Sequence, residues 1–183
     1  MSKRKSKRQL YMEKMGEYDP VIRNAEAIYW GKTLEEPIAQ RLAGLNPDVV
    51  VRPVQAILVH PEIDYMFANI DREIVCSTGN GVLEIKTANA RQDKYWEGED
   101  VPADYVYQVQ HYLAVTGYKF AWIACLLGGQ QYIQRYIERD DALIDMIYRG
   151  EAEFWEYVRT QTPPEWDGSA ASEAFVKKVG AAP

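Results

Sequence analysis

The sequence predicts an α/β fold, a mixed central β-sheet of about five strands flanked by α-helices. Three observations carry that expectation. Helical patterns come first, three strand patterns follow, and then a helix, two strands and a last helix. The helix between the third and fourth strands permits the crossover connection that a parallel strand pair needs. The strand segments themselves are short apolar runs closed by turn residues.

A chain of 183 residues is long enough for one compact domain with a sizeable core, here expected over 1–167. The net charge of −6 does not describe a general polyanion binder, although a local basic surface still binds phosphate on an acidic molecule. Two cysteines, Cys76 and Cys125, are too few for a disulfide scaffold or a four-cysteine metal site, and fit reduced intracellular thiols. The basic start has no apolar stretch behind it, so it is no secretory signal. The longest apolar run, "FAWIACLL", is too short to cross a bilayer. A cytoplasmic protein is expected.

Residues 1–8 hold five Lys or Arg and read as a basic tail or a phosphate-contacting arm. A short helix follows over Lys5 to Met15. A longer one has Ile28, Leu34, Ile38 and Leu42 at helical spacing and Gly44 as its stop. Pro37 should bend or divide it into two pieces around "GKTLEEP". The first strand, "VVVRPVQAILVH", is interrupted by Pro53, which suggests an edge or a bulge. After the turn "HPEID", "YMFANIDREIV" reads as a second strand, and "VLEIKT" as a third beyond the turn "CSTGNG". "ARQDKYWEGEDVP" reads as a loop. "ADYVYQVQHYLAVTG" is helical, with Asp104 near its start and Gly117 at its end. "KFAWIACLL" and "YIQRYIER" form a hairpin about a "GGQ" turn. An amphipathic helix starts at Asp140 or Asp141. Residues 168–183 are small and polar and read as a flexible tail. Trp122, Phe154 and Trp155 read as core.

The third strand places Glu84 and Lys86 on the same face as Val82, with Leu83 and Ile85 on the other. An exposed Glu–Lys pair would be worth under about 1 kcal/mol. On a central strand, burial makes the same pair costly unless the charges are paired or bind a metal. Asp71 lies in the preceding strand amid apolar neighbours. An antiparallel pairing through "CSTGNG" brings it toward Glu84. Two close carboxylates repel unless one is protonated or a cation lies between them. With oxygen ligands, that cation is Mg²⁺ or Mn²⁺, one or two ions. Zinc-type spacing is absent, and His60 and His111 read as ordinary polar residues. Paired carboxylates, a divalent ion and a lysine suit phosphodiester hydrolysis. The metal acidifies a bound water. Lys86 orients that water, helps remove its proton or stabilises the transition state. Lys32, Arg41, Arg91, Lys94 and Lys119 form either a phosphate track or scattered surface charge.

In this order and spacing the motifs resemble the PD-(D/E)xK nucleases, and more closely the YqaJ-type viral recombinase, lambda-exonuclease-like family, from about Arg8 to Asp167. The resemblance implies a restriction-endonuclease-like core and a Mg²⁺-dependent DNA exonuclease of phage or prophage recombination acting on linear double-stranded DNA. A nuclease of endonucleolytic type and a non-catalytic DNA- or recombinase-binding protein are the alternatives. "WGKTLEEPIAQRLA" matches the family helix whose carboxylate reaches the metal, here Glu35, with Glu36 as the alternative. "FANIDREIV" gives Asp71 as a metal ligand. "VLEIKT" gives Glu84 as ligand, Lys86 as catalytic lysine and the Ile85 carbonyl as a further ligand. "YVYQVQHYLAVTG" gives Gln108 and Tyr112, one turn apart, as residues lining the active site. The family usually carries an N-terminal segment whose arginine meets a 5′ phosphate. This sequence begins after that point, with Arg4 or Arg8 as the substitute. A ring-trimer homo-oligomer and a single-strand-annealing recombinase partner are also implied.

Overall fold

Strand β5 (Gly79–Ala88) is the middle of a five-stranded sheet whose order is β1-β4-β5-β6-β7. In this computed structural model, residues 5–20, 24–96 and 98–180 are described. The chain divides into two units, one comprising 24–147 and the other 1–23 with 148–183.

The larger unit holds the sheet. Strand β1 (Val50–Pro53) pairs antiparallel with β4 (Arg72–Cys76), and β4 pairs antiparallel with β5 across the Ser77–Thr78 turn. Strand β6 (Phe120–Leu127) runs parallel to β5, and β7 (Gln131–Glu138) returns antiparallel to β6. Helix α3 (Ala103–Thr116) makes the expected crossover between β5 and β6. It stops at Gly117, whose φ of 72° suits a left-handed cap, and whose N–H donates to the Leu113 carbonyl at 3.0 Å. Pro53 closes an edge strand, where the missing ladder donor is tolerated.

The expected first and second strands are each two pieces, β1 with Leu58–Val59 and Phe67–Ala68 with β4. A small antiparallel hairpin of β2 (Leu58–Val59) and β3 (Phe67–Ala68) stands apart from the main sheet, and β4 begins only at Arg72. Asp71 therefore lies in the bend before β4 rather than within a strand. His60 shapes the β2–β3 turn, where its Nδ1 accepts from the N–H groups of Glu62 and Ile63, each at 3.1 Å.

Helix α2 (Ala25–Leu45) runs unbroken through Pro37, contrary to the expected division. Pro37 removes one helical N–H, but the packing that follows it holds the helix together. Ile38, Ala39 and Leu42 are buried in the core with Ile74, Leu83, Ile85, Phe120 and Ala124. These are the residues one face of β4, β5 and β6 presents to α2, with Leu83 opposite Trp122 and Ile85 opposite Ala124. Burial of several large aliphatic side chains at roughly 1.5–3 kcal/mol each outweighs the cost of about 3 kcal/mol for an internal proline. The other face of β5 carries Val82, Glu84 and Lys86 and receives α3.

In the smaller unit, α1 (Lys7–Lys14) is capped by Ser6, whose hydroxyl accepts from the Gln9 N–H at 3.2 Å. The expected flexible tail instead contains α5 (Ala170–Gly180). Its buried Phe175 meets Tyr18 edge-on at 5.0 Å and Trp166 at 6.2 Å. Small polar residues there are capping groups: Asp167 accepts from the Ser169 N–H at 3.0 Å and the Ser172 hydroxyl at 2.5 Å. Helix α4 (Asp141–Arg159) is amphipathic as expected. Of the basic run, Arg4 lies outside the described residues. Arg8 lies 5.4 Å over the Trp166 ring and donates to the Pro164 carbonyl at 3.0 Å, so it is engaged within its own unit. Among the described residues, no helix is long and apolar enough to cross a membrane.

Gly81 packs closely, because a Cβ there would overlap the Phe120 ring, itself stacked on Tyr136 at 5.5 Å. Gly81→Ala should therefore lower stability by about 1–3 kcal/mol in urea denaturation. That loss should shrink in a Phe120→Leu background, and an unchanged loss there would remove Phe120 as its cause.

Candidate active site

Alternation along β5 turns one charged residue inward beside the apolar core. Glu84 is 3% exposed, and its neighbours Leu83 and Ile85 are buried on the opposite face. A buried carboxylate needs partners, and α3 supplies them. Gln108 Nε2 donates to Glu84 Oε1 at 2.9 Å and to the Tyr112 hydroxyl at 2.8 Å. Lys86 Nζ donates to the same Glu84 oxygen, and also to Gln108 Oε1 at 3.0 Å. Gln108 and Tyr112 are one helical turn apart, so they reach the strand side by side. Tyr105, one turn earlier, lies beneath the Lys86 ammonium, 4.9 Å from ring centroid to Nζ.

Asp71 approaches from the end of β4. The ladder with β5 ends at Arg72 opposite Leu83. One step further, the Asp71 carboxylate takes the place of a backbone acceptor, receiving the Ile85 N–H at 2.7 Å. Asp71 and Glu84 are thereby brought together, as the hairpin register requires. Helix α2 adds Glu35, whose carboxylate meets Arg72 Nη1 at 3.4 Å, while the more exposed Glu36 meets Arg72 Nη2 at 3.2 Å.

The electrostatics show crowded negative charge. Burial, and then the charge of Asp71, push the Glu84 carboxyl up from the usual 4.5 to about 7, against the opposing pull of Lys86 and Gln108. Burial also raises Asp71, and Glu35 adds to that, while the Ile85 N–H, Lys86 and Arg72 oppose it. Tyr112 is raised to about 12, by burial first and the Glu84 charge second. Glu84 Oε2 is buried without a hydrogen-bond partner. An oxygen donor set with one buried, unpartnered carboxylate oxygen fits a hard divalent cation. Among the described residues, no three His, Cys, Asp or Glu side chains gather closely enough to form a ready-made cage. Asp71 and Glu84 are the close pair, and Glu35, whose charge helps to raise Asp71, is joined to Arg72.

The seven expected site residues, Glu35, Asp71, Glu84, Ile85, Lys86, Gln108 and Tyr112, thus lie in one neighbourhood of the larger unit. Arg72 and Tyr105 were missed. Arg72 directly follows Asp71, and Tyr105 precedes Gln108 by one turn, so helical spacing was a signal for the second. His111 is elsewhere engaged, its Nε2 lying 2.9 Å from the Phe67 carbonyl. Lys32, Arg41, Arg91, Lys94 and Lys119 are all exposed on the surface.

Residues 1–119 match the model of the YqaJ-like viral recombinase domain family. The YqaJ protein of Bacillus subtilis (strain 168) is 41% identical over 181 residues, 97% of this chain, and the chain spans 56% of that relative's length. Among solved structures, the alkaline exonuclease LHK-Exo from Laribacter hongkongensis is similar with a TM-score of 0.68 and 22% identity, over 95% of this chain and 83% of that one. A phage-related exonuclease from Haemophilus somnus 129PT gives a TM-score of 0.65 and 15% identity, over 85% of this chain and 80% of that one. At these identities the two likenesses show a shared fold: the restriction-endonuclease-like arrangement of a mixed five-stranded sheet between helices.

Because the folded pKa of Glu84 is raised, the folded state holds its proton longer than the unfolded chain does. Without added metal, the cost of ionising Glu84 is absent below pH 4.5, grows as pH rises, and is complete above about 7. The stability of Glu84→Gln relative to wild type should therefore rise between pH 5 and pH 8, by on the order of 3 kcal/mol. Denaturant melts in chelator at the two pH values measure this, and a difference that does not change with pH would refute it.

Proposed function

The chain belongs to the family of YqaJ-like viral recombinase domains, and on that footing we propose that it is a metal-dependent deoxyribonuclease. Its substrate is linear double-stranded DNA, degraded as an exonuclease in phage or prophage recombination. The observation that carries this reading is the buried Glu84, with one oxygen lacking a partner, set between Asp71 and the Lys86 ammonium.

Asp71, Glu84 and Glu35, with the Ile85 carbonyl, would hold one or two Mg²⁺ or Mn²⁺ ions. When bound, such an ion neutralises the phosphodiester and acidifies a coordinated water. The remaining work falls to the chain's own groups. Lys86 Nζ donates to Glu84 Oε1 and is placed to orient the attacking water, help remove its proton or face the charge that develops on phosphorus. Gln108 touches both Lys86 and Glu84, so one side chain fixes the two relative to each other. Tyr112 accepts the second Gln108 proton and, with a pKa of about 12, stays neutral. Tyr105 covers the ammonium from below and limits its contact with water. The same reading treats 1–167 as one nuclease domain working in the cytoplasm of a bacterial or phage-infected cell. It includes a ring trimer and a single-strand-annealing recombinase partner.

Incubation of linear and covalently closed duplexes with Mg²⁺ tests the proposal. Loss of linear DNA alone is expected. Cutting of circles would mark an endonuclease, and binding without cleavage a non-catalytic relative. Lys86→Ala should lower the cleavage rate by about 100-fold or more, with an unchanged far-UV circular dichroism spectrum. Full activity in that variant would take Lys86 out of the mechanism.

A further inference from the structure

Arg72 occupies a place that the proposed chemistry leaves without a role. Its side chain is 14% exposed, and its guanidinium holds three acceptors on two elements. Nη1 donates to the carbonyl of Asp71, its own neighbour, at 2.6 Å, and meets Glu35 at 3.4 Å. Nη2 donates to Glu36 at 3.2 Å. The planar fork lets one side chain join two consecutive glutamates of α2 to the residue that carries the Asp71 carboxylate. The geometry points to Arg72 as a positioning residue that keeps Glu35 at the metal site, with Glu36 serving as its second anchor rather than as a ligand.

The argument is one of competing forces. Glu35 and Asp71 repel each other. The Glu35 side chain is 29% exposed and has a route to water. Among the described residues, its carboxylate hydrogen-bonds to Arg72. Removing the guanidinium frees Glu35 to swing outward and regain rotamer freedom. Glu36 offers no substitute, because its side chain is 63% exposed and already faces solvent. The opposing effect is that losing a positive charge favours a nearby cation. Glu36 largely cancels that charge, since it lies on the same guanidinium, so positioning dominates. On this assignment Glu35 is the helical ligand and Glu36 influences the site only through Arg72.

This inference rests on the metal-dependent reading, and Mn²⁺ binding followed by electron paramagnetic resonance, without DNA, separates the two. Wild type, Asp71→Asn, Arg72→Gln, Glu36→Gln and the Arg72→Gln/Glu36→Gln double variant are titrated with Mn²⁺, and each is checked by thermal melting. Arg72→Gln should weaken Mn²⁺ binding by about tenfold, and Glu36→Gln by about threefold with an unchanged melting temperature. In the double variant, Glu36→Gln should add nothing. Arg72→Lys should rescue only in part, because an ammonium cannot hold both carboxylates in one plane. Unchanged or tighter binding in Arg72→Gln, or an additive double variant, overturns the positioning role while the metal site stands. Wild-type binding that is absent or insensitive to Asp71→Asn overturns the metal-dependent reading and this inference with it.

Discussion

A carboxylate sealed inside a β-sheet is the constraint from which the rest of this molecule follows. An unpaired charge in a protein interior costs several kcal/mol even after relaxation. Glu84 is 3% exposed and still surrounded by groups that only a polar site would need. Lys86 is two residues along the same strand face, and Gln108 comes from the crossover helix. The compensation is incomplete, since one oxygen has no partner and the acid's pKa stands near neutrality. Strongly perturbed acids with specific charge partners mark functional sites more often than structural ones.

The two faces of β5 divide the work of the fold. Leu83 and Ile85 join α2 in a shared apolar core, which holds the strand in place. Glu84 and Lys86 face α3 on the other side. A strand anchored by packing on one face holds the polar groups of its other face to a fixed geometry. Helix α2 serves both ends of this scheme. Its Ile38–Leu42 portion packs the core, and Glu35, one turn earlier, reaches the rim of the site.

Much of this was legible in the sequence because it depends on period. The alternation around Glu84 and Lys86, the crossover helix and the spacing of Gln108 and Tyr112 follow from strand and helix geometry alone. The family resemblance added Glu35, which no local pattern would have joined to the site. What stayed hidden depended on tertiary context. Pro37 is a reliable breaker by local rules, yet the burial of Ile38, Ala39 and Leu42 beyond it keeps α2 whole. The bend that places Asp71 ahead of β4 has no marker in "FANIDREIV". Helix α5 reads as tail because its composition is polar, and only the burial of Phe175 by Tyr18 and Trp166 gives it a reason to form. Arg72 was passed over because a charged residue at a strand end is ordinary until its partners are known.

The β4–β5 hairpin carries a consequence for quality control. With Arg72 opposite Leu83 and Cys76 opposite Gly79, each residue of β5 is assigned to one side of the sheet. A slip by a single residue would exchange the two sides, driving Glu84 and Lys86 into oil and exposing Leu83 and Ile85 to water. Such a conformer loses its core and its chemistry in the same step. A mispaired chain therefore has no well-packed form in which to persist, and proteolytic survival of the folded chain doubles as a census of correctly registered molecules.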